Sequence, residues 1–387
     1  MGLVQAHALG RNRRFFVETE STAGTFVKAT SAGAAKLKVT SMDKQIERKD
    51  REDSRPTRSL LERITGKGTI SWSAEGYLIP SGTAGTPPDI HELLYGILGT
   101  YANVPATSDT YSPSETQVIR TVSLTHHYND VAMESAAGCW VNAATITSSG
   151  GDEPTIAFEG GAMSMAFTGN TTLDAATPGG GATFQVQPGG TRSISVNSVV
   201  QVGTDDNSSA GFQVDAVNHT TYIHTATGDT ITAQADDSDV LPFSPAETTA
   251  GSPINGITGS LTLDGTEYPI TAFDVTISNN IKPLDDEAYQ QFPDDIIPGF
   301  RQVTGTIGIR ARKDLVIELG KREAFGTRAI VVVLGSGAGT TCTISLDQVE
   351  IGFAAAEFPE VDEGTISLPY TALGTGAGNN EIDIAFT

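Results

Sequence analysis

The residues with the types a reactive site needs lie in five short stretches. Gly335, Gly337 and Gly339 follow the apolar run AIVVVL and evoke a dinucleotide loop, in which G-x-G-x-x-G opens a helix and backbone N–H groups face a pyrophosphate. The third glycine falls at 339 instead of 340. Thr341, Thr343, Ser345 and Asp347 then alternate with Cys342, Ile344, Leu346 and Gln348, which is strand periodicity. A glycine-rich β-hairpin is therefore expected here. Thr65–Thr69, TGKGT, has a lysine between glycines but not the GK[ST] of a phosphate loop. His126 and His127 are adjacent, so in a strand they point to opposite faces and do not share a metal. His219 and His224 lack Cys or Glu at ligand spacing, and Asp236–Asp239 lacks the alternating ligands and glycine of a calcium loop. No Gly-x-Ser-x-Gly elbow or acid/base pair stands out, so the chain reads as a non-enzyme with no cofactor and no metal.

The elements that carry these residues are short, alternating and rich in turns. With 387 residues, 42 glycines and 7% aromatics, the composition is that of an all-β protein with several domains. The first residues lack the apolar core of a signal peptide, and no run approaches a membrane span, so synthesis and retention in the cytoplasm are expected. Ala6 stands where myristoylation needs Ser or Thr. The net charge of −22 is uneven: residues 1–70 carry 14 Lys/Arg against 8 Asp/Glu, and between Lys67 and Lys282 the basic residues are Arg120 and Arg192. So acidic a surface repels phosphate backbones and argues against binding driven by counterion release.

The chain also repeats itself. The segment from Leu37, LKVTSMDKQIERKDREDSRPTRSLLERITGKGTISWSAEGYLIP, matches the one from Phe273, FDVTISNNIKPLDDEAYQQFPDDIIPGFRQVTGTIGIRARKDLV. Each has a strand ending in Val-Thr, a long polar excursion, then Thr-Gly opening an alternating strand. Ile70, Trp72 and Ala74 share one face in the first, and Ile307, Ile309 and Ala311 in the second. A Cys-strand-Pro-strand block recurs at Gly138 and Thr341, which puts Cys139 and Cys342 in corresponding places, expected as buried free thiols in separate sheets. PPDIHELLYGILG predicts a helix with Asp89 as N-cap, Glu92 three residues on, Ile90, Leu93, Leu94 and Ile97 on one face and Gly99 at the stop. KDLVIELGKREAFG, near Asp314, is a weaker counterpart. Linkers near 177–181 and 242–253 bracket TFQVQ, SVVQVG, GFQVDAVN, TYIHTA and DTITAQA, the short strands of a small β-domain.

The excursions differ in charge. From Asp43 to Arg63 there are 7 basic and 6 acidic residues; from Lys282 to Arg301 there are 2 basic and 5 acidic. Two long excursions in a duplicated β-chain predict extended hairpins that reach a neighbouring subunit. Lys44, Arg48, Arg51, Arg55 and Arg58 in the first, and Asp285, Asp286, Asp294 and Asp295 in the second, are the candidate contact residues.

With its paired long-loop units, two VT…TG strand starts, the helix IHELLYGILG and the closing EGTISLPYTAL, the chain resembles the tail tube proteins of long-tailed bacteriophages, of the duplicated, trimer-forming type. The resemblance covers roughly residues 15–170 and 250–375. It implies two tandem β-sandwich or barrel domains, 1–170 and 246–387, each flanked by a helix; the accessory β-domain at 183–245 departs from the family's minimal pattern and is expected on the outside. It further implies homotrimeric rings of pseudo-sixfold symmetry, with long loops contacting the next ring. Stacked, the rings form a hollow tube in the virion tail, made in the host cytoplasm, through which DNA reaches the host. Tape measure protein, tail terminator and distal tail protein are the partners it implies. A contractile-tail sheath is a related alternative. A glycan-binding β-sandwich adhesin or surface-layer protein is the alternative from another class; the missing export signal, scarce aromatics and duplication stand against it.

Overall fold

The computed structural model describes residues 13–51, 59, 63–115, 119–128, 132–169, 251–284, 290–310, 327–352, 355–357, 364–376 and 378–387, and six short strands between 182 and 234. These residues are mainly β, in antiparallel pairs, with one α-helix among them. They divide into two compact units: the described residues within 13–14, 125–135 and 166–246 form one, and the remaining described residues the other.

In the larger unit, which takes Ala132–Ser149 from Ala136 onward, a continuous path of paired strands runs through both halves of the sequence. Lys38–Asp50 pairs with Arg63–Tyr77, which pairs with Thr155–Gly161, which pairs with Ala132–Ser149. The last of these lies in register against Ile270–Ser278, from Ala143 opposite Ser278 to Ser149 opposite Ala272. Gln302–Arg310, Thr365–Ala372 and Cys342–Ile351 continue the path. Beyond Cys342–Ser345 comes Asp383–Phe386, whose far edge takes Asp109–Tyr111 from the first half. Cys139 and Cys342 thus lie in one connected network and not in separate sheets; both are buried free thiols as expected. Burial pushes the Cys342 thiol up to about 12, and the Cys139 thiol is also raised, by burial first and then by Glu20.

Period-2 patterning explains the faces. Phe273, Val275 and Ile277 are buried while their neighbours are not, and Ile366, Leu368, Tyr370 and Ala372 repeat this. Ile70, Trp72 and Ala74 are buried as their alternation predicts, and so are Ile307 and Ile309, while Ala311 lies outside the described residues. Each fully buried Ile, Leu or Phe contributes about 1.5–3 kcal/mol over leaving it in water. At the centre of a polar network, Glu20 accepts from Thr121 Oγ1 (2.8 Å), Ser123 Oγ (2.7 Å) and the Gly138 N–H (2.8 Å), so a buried carboxylate ties three distant segments together.

The helix α1 spans His91–Leu98, with Leu93, Leu94, Ile97 and Leu98 buried and Gly99 closing it in the left-handed region at φ 87°. Asp89 does not cap it. The N-cap is Ile90 with no side-chain cap bond, and Asp89 instead accepts from the Lys36 N–H at 2.9 Å. The expected second helix lies outside the described residues. The glycine triplet is a turn: Gly335, Gly337 and Gly339 all have positive φ between the antiparallel strands Arg328–Leu334 and Cys342–Ile351.

In the smaller unit, Ala182–Gln185, Thr220–His224 and Gly211–Asp215 form one three-stranded sheet. Val199–Val202, Ser193–Val196 and Ile231–Gln234 form another. Ser193–Val196 was not among the strands expected there. His126 and His127 are both buried; His126 Nδ1 is 3.3 Å from Glu134, which also accepts from the Tyr128 hydroxyl at 2.6 Å. The pair is therefore packed into structure.

Candidate assembly surface

The first polar excursion is not a loop at its start. Strand pairing continues from Lys38 to Asp50 and resumes at Arg63, whereas Thr155–Gly161 supports the second strand only from Ser71 to Tyr77. From Lys44–Asp50 and Arg63–Ile70 the chain is a two-stranded ribbon. A ribbon of two strands is marginal in water by itself.

One brace supports it. The Gly68 N–H donates to the Gln291 carbonyl at 2.7 Å, and the Phe292 ring lies against the Gly68 backbone. Lys44 sits over the same ring, Nζ 4.7 Å from its centroid, and donates to the Met165 carbonyl at 3.3 Å. Both strands of the ribbon thus meet the second excursion within one chain. Toward the tip, Arg63 pairs with Asp50 at 2.8 Å and Lys49 with Glu47 at 3.3 Å, both well exposed. Such pairs are each worth about 0–1 kcal/mol.

The candidate contact residues separate accordingly. Lys44 belongs to the brace; Arg48, opposite Thr65, and Arg51, just past the strand, are exposed on the ribbon. Asp294 and Asp295 are exposed on the second excursion, where Asp294 accepts from the Gln290 amide at 2.6 Å and Asp295 from its neighbour's N–H. Among the described residues no ion pair joins the basic group to the acidic one. Arg55, Arg58, Asp285 and Asp286 lie outside the described residues.

Sequence reasoning missed Phe292, and also Phe300 and the cleft beside it. This concavity of about 550 Å³ is lined by Ile97, Ile119, Ile281, Pro298, Phe300 and Arg301, among others. Aromatic residues inside an acidic run, Phe292 and Phe300 in DDEAYQQFPDDIIPGF, were the signal available. No group of three His, Cys, Asp or Glu able to hold a metal occurs among the described residues. The buried Asp109 accepts from the Tyr101 hydroxyl at 2.6 Å and from Asn103 at 2.7 Å, and burial with this bond pushes Tyr101 up to about 12. This is an arrangement for holding the Gly99–Pro113 hairpin.

No helix among the described residues is long and apolar enough to cross a membrane. A comparison with curated proteins found no match. The family model described as phage tail tube protein matches residues 10–387, nearly the whole length of this mainly β chain. The chain belongs to the phage tail tube protein family.

Proposed function

We propose that the chain is the major tail tube subunit, assembling with itself into stacked rings whose hollow interior passes phage DNA to the host. The observation that carries this is the ribbon Lys44–Asp50/Arg63–Ile70, a strongly charged arm with little support of its own. An arm of this kind gains stability when a second surface covers it, and heterologous contact between different patches propagates rings into filaments. The ring is a homotrimer, because the duplicated halves supply two similar units per chain. Residues 1–170 and 246–387 are the two tube domains and 183–245 an exterior addition.

An acidic protein suits a conduit for DNA. DNA carries a negative charge about every 1.7 Å, so a wall without basic contacts lets it slide without sticking. Tape measure protein, tail terminator and distal tail protein are the further partners of such a tube, and the tail of the virion its location.

Electron microscopy of concentrated purified protein tests the reading. Uniform hollow filaments or stacked rings with threefold chain symmetry are expected. Protein that stays monomeric at high concentration would overturn self-assembly, and six chains per ring would overturn the trimer.

A further inference from the structure

Two apolar side chains stand in solvent on the segment Asp294–Arg301. Phe300 is 78% exposed and Ile297 49%. Exposed apolar groups clustered at a concavity mark an interaction site more often than isolated ones do. They are also rigidly presented. The Gly299 N–H donates to the Asn279 carbonyl at 3.1 Å and Asn280 Nδ2 to the Phe300 carbonyl at 2.8 Å. A Cβ on Gly299 would lie 2.0 Å from the Asn280 oxygen, so the loop is closely fitted there. Little ordering cost is left for binding.

The adjoining cleft is lined by apolar side chains together with Arg301 and its two carboxylate partners, Glu115 and Glu381. Arg301 donates to Glu115 at 2.9 Å, to Glu381 at 3.2 Å, and to the Ser114 and Gly378 carbonyls, while its buried Nε–H reaches no acceptor. Glu115 is 57% exposed at the side chain, and Asp294 and Asp295 are exposed on the segment leading into the cleft. Its complement is a partner with an exposed apolar side chain and cations for the exposed carboxylates.

The ribbon carries both. Ile64 is 54% exposed and Lys49 lies directly opposite it, on the same face of the ribbon, with the exposed Arg48 one position along the strand. Ile64 lies four residues beyond the Gly68 brace, roughly 13 Å at about 3.3 Å per residue. We infer that the cleft beside Phe300 is the seat for the Ile64 end of the ribbon of a second copy of this chain. This rests on the self-assembly proposed above and names its contact. The surfaces differ, so the contact is heterologous and extends without limit unless it closes a ring.

Cross-linking tests it, helped by the burial of both native thiols. Ile64→Cys combined with Phe300→Cys, treated with a flexible bis-maleimide under assembling conditions, is expected to give a ladder of covalent trimers and larger species. Each single variant should give no ladder. Lys49→Cys with Ile297→Cys is a second pair, should the first fail to fold by circular dichroism. Tubes visible by microscopy without a ladder from either pair, or a cross-link confined to the monomer, overturns this seat while leaving self-assembly standing. Absence of any assembly by the wild-type chain overturns both. Phe300→Ser is further expected to raise the concentration needed for assembly at least tenfold with the melting temperature unchanged.

Discussion

Phe292 occupies the space that a side chain on Gly68 would need: a Cβ there would lie 2.3 Å from its Cε1. Phe292 belongs to the second polar excursion and Gly68 to the strand that returns from the first, 224 positions apart, and their contact fixes the base of the ribbon. Gly68→Val is expected to displace the ring and cost about 1–3 kcal/mol, the usual range for overpacking. Limited proteolysis should then cut within 44–67 faster than in the wild-type chain. An unchanged digestion rate would show that the ribbon is held by something other than Phe292.

Reversing Arg48, Arg51 and Arg55 to Glu is expected to leave the fold intact and to impair assembly. Each exposed pair is worth at most about 1 kcal/mol, so one substitution changes little. Three per subunit, repeated around a ring, act together and should raise the threshold concentration by about tenfold or more. High salt should weaken wild-type assembly in the same direction. Sedimentation and circular dichroism separate assembly from folding; normal tube yield from the folded triple variant would assign the joint to apolar or backbone contacts.

Replacing residues 183–245 with a short Gly/Ser linker should leave tubes intact under the microscope. The segment has no second copy in the chain, and its described strands pair only with one another. A truncated chain that folds yet cannot polymerise would place the segment in the contact surface.

Stability should fall as pH drops below about 6.5, partly through His91. Burial lowers its pKa below the ordinary value, opposed by Glu92 and Asp109 and reinforced by Arg120, and its Nδ1 lies 2.7 Å from the Tyr111 hydroxyl. A depressed histidine means that the unfolded chain binds the proton first. Stability is therefore full above the unfolded value and is lost between it and the lower folded value, by at most about 1.4 kcal/mol per pH unit. His91→Gln should flatten the dependence of the melting temperature between pH 7 and 5.5. An unchanged slope would assign the effect to other groups.

Local pattern made part of this molecule legible. The apolar face of α1, its stop at Gly99 and the hairpin nature of the Gly335–Gly339 turn depend on neighbours a few residues away, and periodicity reports them. Asp89 shows the limit: its cap geometry lost to a backbone N–H at Lys36, 53 positions distant. The seating of Asp383–Phe386 beside Asp109–Tyr111 is equally invisible, because strand partners are chosen by tertiary fit. For the assembly surface, charge contrast located the excursions, but it ranked Lys44 with Arg48 although Lys44 is committed to Phe292. It also passed over Phe300, whose exposure no periodicity encodes.

The register of Ala143–Ser149 against Ala272–Ser278 has one more consequence. Each of these strands is also paired on its other side, so neither is an edge once the halves meet. A chain severed near residue 248 would leave two fragments with matching raw edges, each the template for the other. Supplied together, they should find one another and restore the joint. The intact polypeptide holds the same two edges at an effective concentration in the millimolar range, which no pair of separate gene products at cellular abundance would match.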